Sequence, residues 1–285
     1  MHKTSNVNIA ARDGYQLTGI LREPEAEPLG YIQLHTGTGI PQKLYGNLAA
    51  FLAENGYVTL TFDYRGIGLS KPDSLKGFEA KMSDWGTLDM TGVLDWAAAK
   101  YPNLKKTVVA HSVGGQLLGL MDNHELIDRC VTIASCTGYW RDMSAPYRWS
   151  LLPIWYFFIP FTIQVYGYAN ARKIRQGENL PAGVAMEWRK WCVHPDYLAS
   201  EFGKSLNTDS YEHFKAPITS IQIADDPIAN ETTCAKLMSL YSGSEIKVRK
   251  VAPADFDLKR IGHAGYFSRK FKHSLWPELL QDLAS

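Results

Sequence analysis

Five short apolar runs, YIQLH, YVTLTFD, TVVAH, CVTIA and ITSIQIA, alternate along this chain with segments of helical character. Parallel strands need long crossover connections and are buried on both faces, so this alternation predicts an α/β fold with a mainly parallel central sheet and helices on both faces. Ahead of the runs, VNIAARDGYQLTGILRE holds two β-prone stretches around Asp13 and Gly14, a pair suited to a tight turn, which predicts an opening antiparallel hairpin. Between the first two runs Leu44, Leu48, Phe51 and Leu52 recur at helical spacing, and Gly56 follows as a left-handed cap. A second helix is expected in SDWGTLDMTGVLDWAAAKY, capped by Ser83 or Asp84 and followed by the strand that ends at His111.

About 80 residues between CVTIAS and APITSIQIADD break the alternation, too many for an ordinary connection. They are rich in aromatic side chains, among them Trp140, Trp149, Trp155, Trp188 and Trp191, and read as an inserted helical cap with its own apolar surface. The expected organisation is a core in two parts, 1–136 and 206–285, interrupted by a cap at 137–205. A chain of 285 residues that is 45% hydrophobic can bury one large core. Its formal charge of +1 gives no field suited to nucleic acid, which is not expected as a partner. Within the cap Arg141, Arg148, Arg172, Lys173, Arg175, Arg189 and Lys190 outnumber Asp142, Glu178, Glu187 and Asp196. That excess suits an anionic substrate or transient docking on a membrane surface, a solvated face being the plainer reading.

The uncharged stretch WSLLPIWYFFIPFTIQVYGYANA is long enough to cross a bilayer, but Pro153 and Pro160 interrupt it, so no stable membrane insertion is expected. The amino terminus lacks the apolar core of a secretion signal, which points to the cytoplasm. Cys130, Cys136, Cys192 and Cys234 are scattered without metal-ligand spacing and read as reduced, buried thiols, so no metal is expected. The apolar face of the cap leaves room for a homodimer.

Chemistry enters at TVVAHSVGGQLLG. Ser112 stands where a strand stops and a helix begins, with small residues, Ala110 and Gly114, two positions to either side. A serine at such a sharp turn is a candidate nucleophile if a base, an acid to orient the base and donors for an oxyanion are also present. The alternative is an ordinary glycine-containing connection. HTGTG, residues 35–39, follows an apolar strand; FDYRGIGLS follows the next; IQIADDPIAN ends a strand with Asp225 and Asp226; RIGHAGYF sets His263 among small residues near the carboxyl end.

In this order the motifs resemble those of the α/β-hydrolases, and the chain is similar to the serine aminopeptidase and monoacylglycerol lipase branch of that superfamily. The resemblance implies an α/β-hydrolase fold and a serine hydrolase with Ser112 as nucleophile, His263 as base and Asp226 as orienting acid. Asp226 is preferred to Asp225 because DPIA matches the family's acid turn better. It further implies an oxyanion hole from the Val113 and Gly37 amides, with His35 a packed structural histidine and no cofactor. Alanine at 110 and threonine at 36 stand where the family commonly has glycine. The expected substrate is a small acyl compound, most simply a carboxylic ester, with thioester, amide or carbon–carbon cleavage and non-catalytic binding of an apolar ligand as alternatives. Trp140, Trp155 and Trp188 are expected to line its pocket.

Overall fold

The computed structural model describes residues 1–206 and 209–284. Of the expected second core part, residues 207, 208 and 285 lie outside the described residues. Strands β1 (His2–Ala10) and β2 (Gln16–Pro24) form the antiparallel hairpin around Gly14, and β3 (Gly30–His35), β4 (Tyr57–Phe62), β5 (Lys106–His111) and β6 (Arg129–Ile133) follow. Two short strands, β7 (Tyr168–Ala169) and β8 (Leu180–Pro181), pair with each other inside the insertion, and β9 (Ile218–Ile223) and β10 (Ile246–Val251) complete the main sheet. The main sheet runs β1-β2-β4-β3-β5-β6-β9-β10. Only the β1–β2 and β2–β4 pairs are antiparallel.

β3, β5 and β9 are buried along their whole length, as strands covered on both faces must be. Successive side chains point to opposite faces, so β5 sends Val108 and Ala110 into one apolar layer and Val109 into the other. The first layer is closed by Met90, Val93, Leu94 and Ala97 of the helical run 82–100. The second is closed by Leu48, Phe51 and Leu52 of the helix Gly46–Glu54 and by Trp276 and Leu279 of the helix Trp276–Ala284. Ser83 and Asp84 lie inside the first helical turn rather than at its cap; the Asp84 carboxylate accepts the Lys81 N–H at 2.7 Å from there.

The chain winds from β3 outward to β4, then returns to place β5 on the other side of β3. At such a reversal the loops leaving the two strands diverge and open a crevice at their carboxyl ends. β3 delivers the 36–39 loop there and β5 delivers Ser112. FDYRGIGLS fixes this end of the sheet. Asp63 accepts the Gln42 N–H at 2.7 Å and the Leu69 N–H at 2.9 Å. Arg65 bonds Asp89 through its backbone N–H at 2.9 Å and through Nε at 2.7 Å, while its other arm reaches Asp13 at 2.7 Å.

The segment between β6 and β9 sets its helices, Tyr147–Pro153, Ile159–Tyr166 and Ala182–Cys192, over the carboxyl end of the sheet, where residues of each line a cavity together with Ser112 and His263. Glu187 accepts the Ser83 N–H at 2.7 Å, and Tyr197 donates its hydroxyl proton to Gln116 Oε1 at 2.7 Å. Pro153 and Pro160 do not end the helical run 147–166. A π-helical stretch, Ile154–Phe158, lies between them, and its wider hydrogen-bonding register absorbs the missing proline donors. Among the described residues no helix is long and apolar enough to cross a membrane.

The Asp89 carboxylate is wholly buried and the Arg65 side chain nearly so, whereas Asp13 is 40% exposed. Asp89→Ala, which strands a buried guanidinium, is expected to cost about 3–5 kcal/mol of stability, and Asp13→Ala about 1 kcal/mol or less. Urea unfolding of the two variants checks this; equal losses would show that burial does not govern the pair.

Candidate active site

Ser112 follows β5 without an intervening residue and takes φ 50° and ψ −117°, a backbone conformation that side chains rarely adopt. Two features hold it there. Its N–H donates to the Ile133 carbonyl of neighbouring β6 at 3.1 Å, and the helix Val113–Gln116 starts immediately after it. Gly114 makes the approach possible: a Cβ there would lie 2.7 Å from His35 Cβ and 2.9 Å from the His35 carbonyl oxygen. The turn thus pushes the Ser112 side chain out of the sheet and into the crevice, at a local strain of about 1–3 kcal/mol.

His263 and Asp226 come to the same place from the far strands. Asp226 follows β9, its carboxylate buried, and accepts the Ile228 N–H at 2.8 Å. Asp225 grips backbone instead, its two oxygens accepting the Ile261 and Gly262 N–H groups at 3.0 and 2.9 Å, which fixes the loop that carries His263. Neither acid caps the following helix, whose start at Glu231 is capped by Asn230 through the Thr233 N–H. His263 Nδ1 lies 2.6 Å from Asp226 Oδ2, and Nε2 lies 3.0 Å from Ser112 Oγ. A carboxylate can only accept, so the imidazole proton sits on Nδ1 and Nε2 is left to accept from the serine hydroxyl. Such a row can take a proton from Ser112 and carry it as an imidazolium stabilised by Asp226.

The Gly37 assignment is corrected by the structure. Its N–H donates to the buried Tyr45 hydroxyl at 2.8 Å, not toward Ser112. The hydroxyl in turn meets His111 Nδ1 at 2.7 Å, and His111 Nε2 meets the His263 carbonyl at 3.0 Å. A carbonyl only accepts, so His111 carries its proton on Nε2 and Tyr45 donates to Nδ1. This neutral chain joins the 36–39 loop to the His263 loop beneath the site. Gly37 is glycine because a Cβ would fall 2.8 Å from His111 Nδ1. The next amide, that of Thr38, makes no hydrogen bond among the described residues, and Thr38 lines the same cavity as Ser112 and His263. The Val113 N–H, at the start of its helix, has no acceptor among the described residues either.

The cavity has a volume of about 270 Å³, with Ser112 and His263 at one wall and Leu151, Trp155, Phe158 and Trp188 of the insertion at the other. Trp155 and Trp188 pack edge to face at 4.9 Å between ring centroids. Trp140 does not reach this cavity; it is buried against Trp149 at 5.9 Å, beside Arg141 and Arg148. Its sequence neighbours gave no sign of facing away, because aromatic richness alone carries no direction. Tyr45 and His111 were missed for a similar reason: nothing in KLYG marks a hydroxyl that will meet a ring 66 positions on. Adjacency to Ser112 was the one available signal for His111. All four cysteines are free and buried, two of them, Cys136 and Cys192, at the cavity wall. Among the described residues no group of three His, Cys, Asp or Glu side chains could hold a metal.

Burial pushes the His35 imidazole down to about 3 and that of His111 well below its ordinary value. The unfolded chain therefore binds protons that the folded chain refuses, and stability falls as pH drops below about 6.5, by about 1 kcal/mol per pH unit for each histidine. Urea midpoints between neutral pH and pH ~5, above most carboxylate titration, measure this slope; a flat profile would contradict it. Tyr45→Phe leaves the Gly37 amide and His111 Nδ1 without partners and is expected to cost about 1–3 kcal/mol by the same assay, whereas no loss would show the chain to be idle.

The family model described as serine aminopeptidase matches residues 26–166, from β3 through β6 into the insertion. No curated protein matches the chain in sequence. Among solved structures, an esterase from Pyrococcus furiosus is similar over 99% of this chain and 91% of its own, with a TM-score of 0.64 at 14% identity. A highly thermostable carboxyl esterase from Bacillus coagulans is similar over 99% and 98%, with a TM-score of 0.60 at 15% identity. A serine hydrolase without lid from Xanthomonas campestris is similar over 99% and 96%, with a TM-score of 0.56 at 12% identity. At such identities the likeness is one of fold. A fold shared along nearly the whole chain, together with the match over the segment that carries the serine turn, gives this protein the α/β-hydrolase fold.

Proposed function

We propose that this α/β-hydrolase cleaves a carboxylic ester of a small, largely apolar molecule through an acyl-enzyme on Ser112. The observation that carries the reading is the hydrogen-bonded row from Ser112 Oγ through His263 to Asp226 at the wall of an apolar cavity. In the first half-reaction Ser112 Oγ attacks the ester carbonyl as His263 Nε2 takes its proton; the alcohol leaves with that proton. Water repeats the sequence on the acyl-enzyme and frees the acid. The Val113 and Thr38 amides are the proposed oxyanion donors, with Thr38 in the place first expected for Gly37. The insertion acts as a cap whose inner wall, including Trp155 and Trp188, receives the acyl group.

The reading is tested with p-nitrophenyl esters of graded acyl length and with a fluorophosphonate label. Native protein is expected to take the label and turn over esters; Ser112→Ala is expected to lose the label and at least about a thousandfold in kcat. Asp226→Asn is expected to lower kcat by about 10⁴ while leaving the fold intact, since it leaves the imidazole in the wrong tautomer. A folded native protein that takes no label would sink the reading in favour of ligand binding. Label without ester turnover would move it to another bond.

A further inference from the structure

We propose that the outer face of the helical run 147–166 docks on an anionic lipid surface. The run has two different sides. Leu151, Trp155, Phe158 and Ile159 face inward to the cavity. Trp149, Tyr156, Phe157, Phe161 and Val165 are exposed on the other side at helical spacing, Phe157 by 73% and Phe161 by 63%. Ser150, Pro153 and Gln164, the other exposed positions of that side, carry no charge. A row of uncovered aromatic rings of this length is uncommon on a surface that meets only water.

Charge selects the occupant. From residue 143 to residue 177 there is no Asp or Glu, while Arg148, Arg172, Lys173 and Arg175 all fall in that stretch. Glu178, the first acid beyond it, pairs with Arg172. Several cations lie against the aromatic rings: the Arg148 guanidinium is 5.1 Å from the Trp149 ring centroid, Lys173 Nζ is 4.9 Å from that of Tyr166, and the Arg189 guanidinium is 5.6 Å from that of Tyr156. Rings that enter the acyl boundary, with long cationic side chains beside them reaching headgroup phosphates, are the arrangement of an interfacial helix. A second copy of the chain fits poorly. A two-fold interface sets the patch against itself, and without a carboxylate between residues 143 and 177 that stretch offers its own cations no partner. This docking does not depend on the proposed ester cleavage.

The test is co-sedimentation of the full chain with vesicles of phosphatidylcholine alone and of equal parts phosphatidylcholine and phosphatidylglycerol. Binding is expected to the mixed vesicles, weakly if at all to the neutral ones, and to weaken as salt is raised. Phe157→Ser/Phe161→Ser is expected to lower partition onto mixed vesicles by about tenfold or more, because two rings no longer leave water. Neither ring lines the cavity, so melting temperature and turnover of a short soluble ester are expected to stay at the native level. A native protein that stays in the supernatant with both vesicles overturns the proposal, as does binding indifferent to the double substitution. A concentration-dependent dimer that the double substitution abolishes, without vesicle binding, would assign the face to self-association instead. Vesicle binding by a protein that turns over no ester would leave the docking intact and remove only the proposed reaction.

Discussion

The contact of Gly114 with the His35 backbone sets the geometry on which the site depends. It allows the chain to turn within one residue from β5 into the following helix, and it brings β5 and the loop after β3 to the same crevice. Because β5 is flanked by parallel neighbours, every loop that contributes to the site leaves the sheet at the same end. The strained Ser112 conformation is tolerated because its surroundings are over-determined: a strand hydrogen bond on one side, a helix start on the other and a close-packed backbone beneath. Strain of this kind survives only where the fold around it is stable enough to impose it.

Beneath the serine lies a second order of organisation. Tyr45 and His111 use every polar atom of their side chains to tie the 36–39 loop to the His263 loop, and both are kept neutral by burial. Phe267 closes this layer, 4.6 Å from the Tyr45 ring and 4.7 Å from that of His111. Asp225 adds a separate brace from β9 to the same His263 loop. The two acids at the end of β9 thus divide their work, one holding an imidazole and the other a backbone.

Much of the architecture was legible in the sequence because it rests on periodicity and length. Apolar runs alternating with helical segments fix a parallel sheet, and Asp13-Gly14 fixes a hairpin, without reference to distant residues. The grouping of Ser112, Asp226 and His263 was readable because each follows a strand of the same sheet. What escaped was whatever depends on which way one group points. Gly37 and Thr38 are neighbours in the chain, and only the position of a tyrosine hydroxyl and a histidine ring decides which amide is left unpaired. Trp140 and Trp155 belong to the same aromatic segment, yet one packs on Trp149 and the other faces the cavity. Pro153 and Pro160 read as helix breakers because propensity counts the lost donor, and it does not count the π register that accommodates it.

Glu178 links the insertion to two loops of the core at once. Its N–H donates to the Gly39 carbonyl at 2.8 Å, and its carboxylate accepts the Gly68 N–H at 2.8 Å and holds Arg172. Gly39 is the immediate neighbour of Thr38. An outward shift of this part of the chain would break the bond to Gly39 and leave the 36–39 loop held by its bond from Gly37 to Tyr45. The position of Glu178 and that of the Thr38 amide are therefore linked through one hydrogen bond. The wall of the cavity and the backbone beside Ser112 are thus joined through one residue, so a change in the wall at Leu180 or Gly177 bears on the amide at Thr38 as well as on the shape of the cavity.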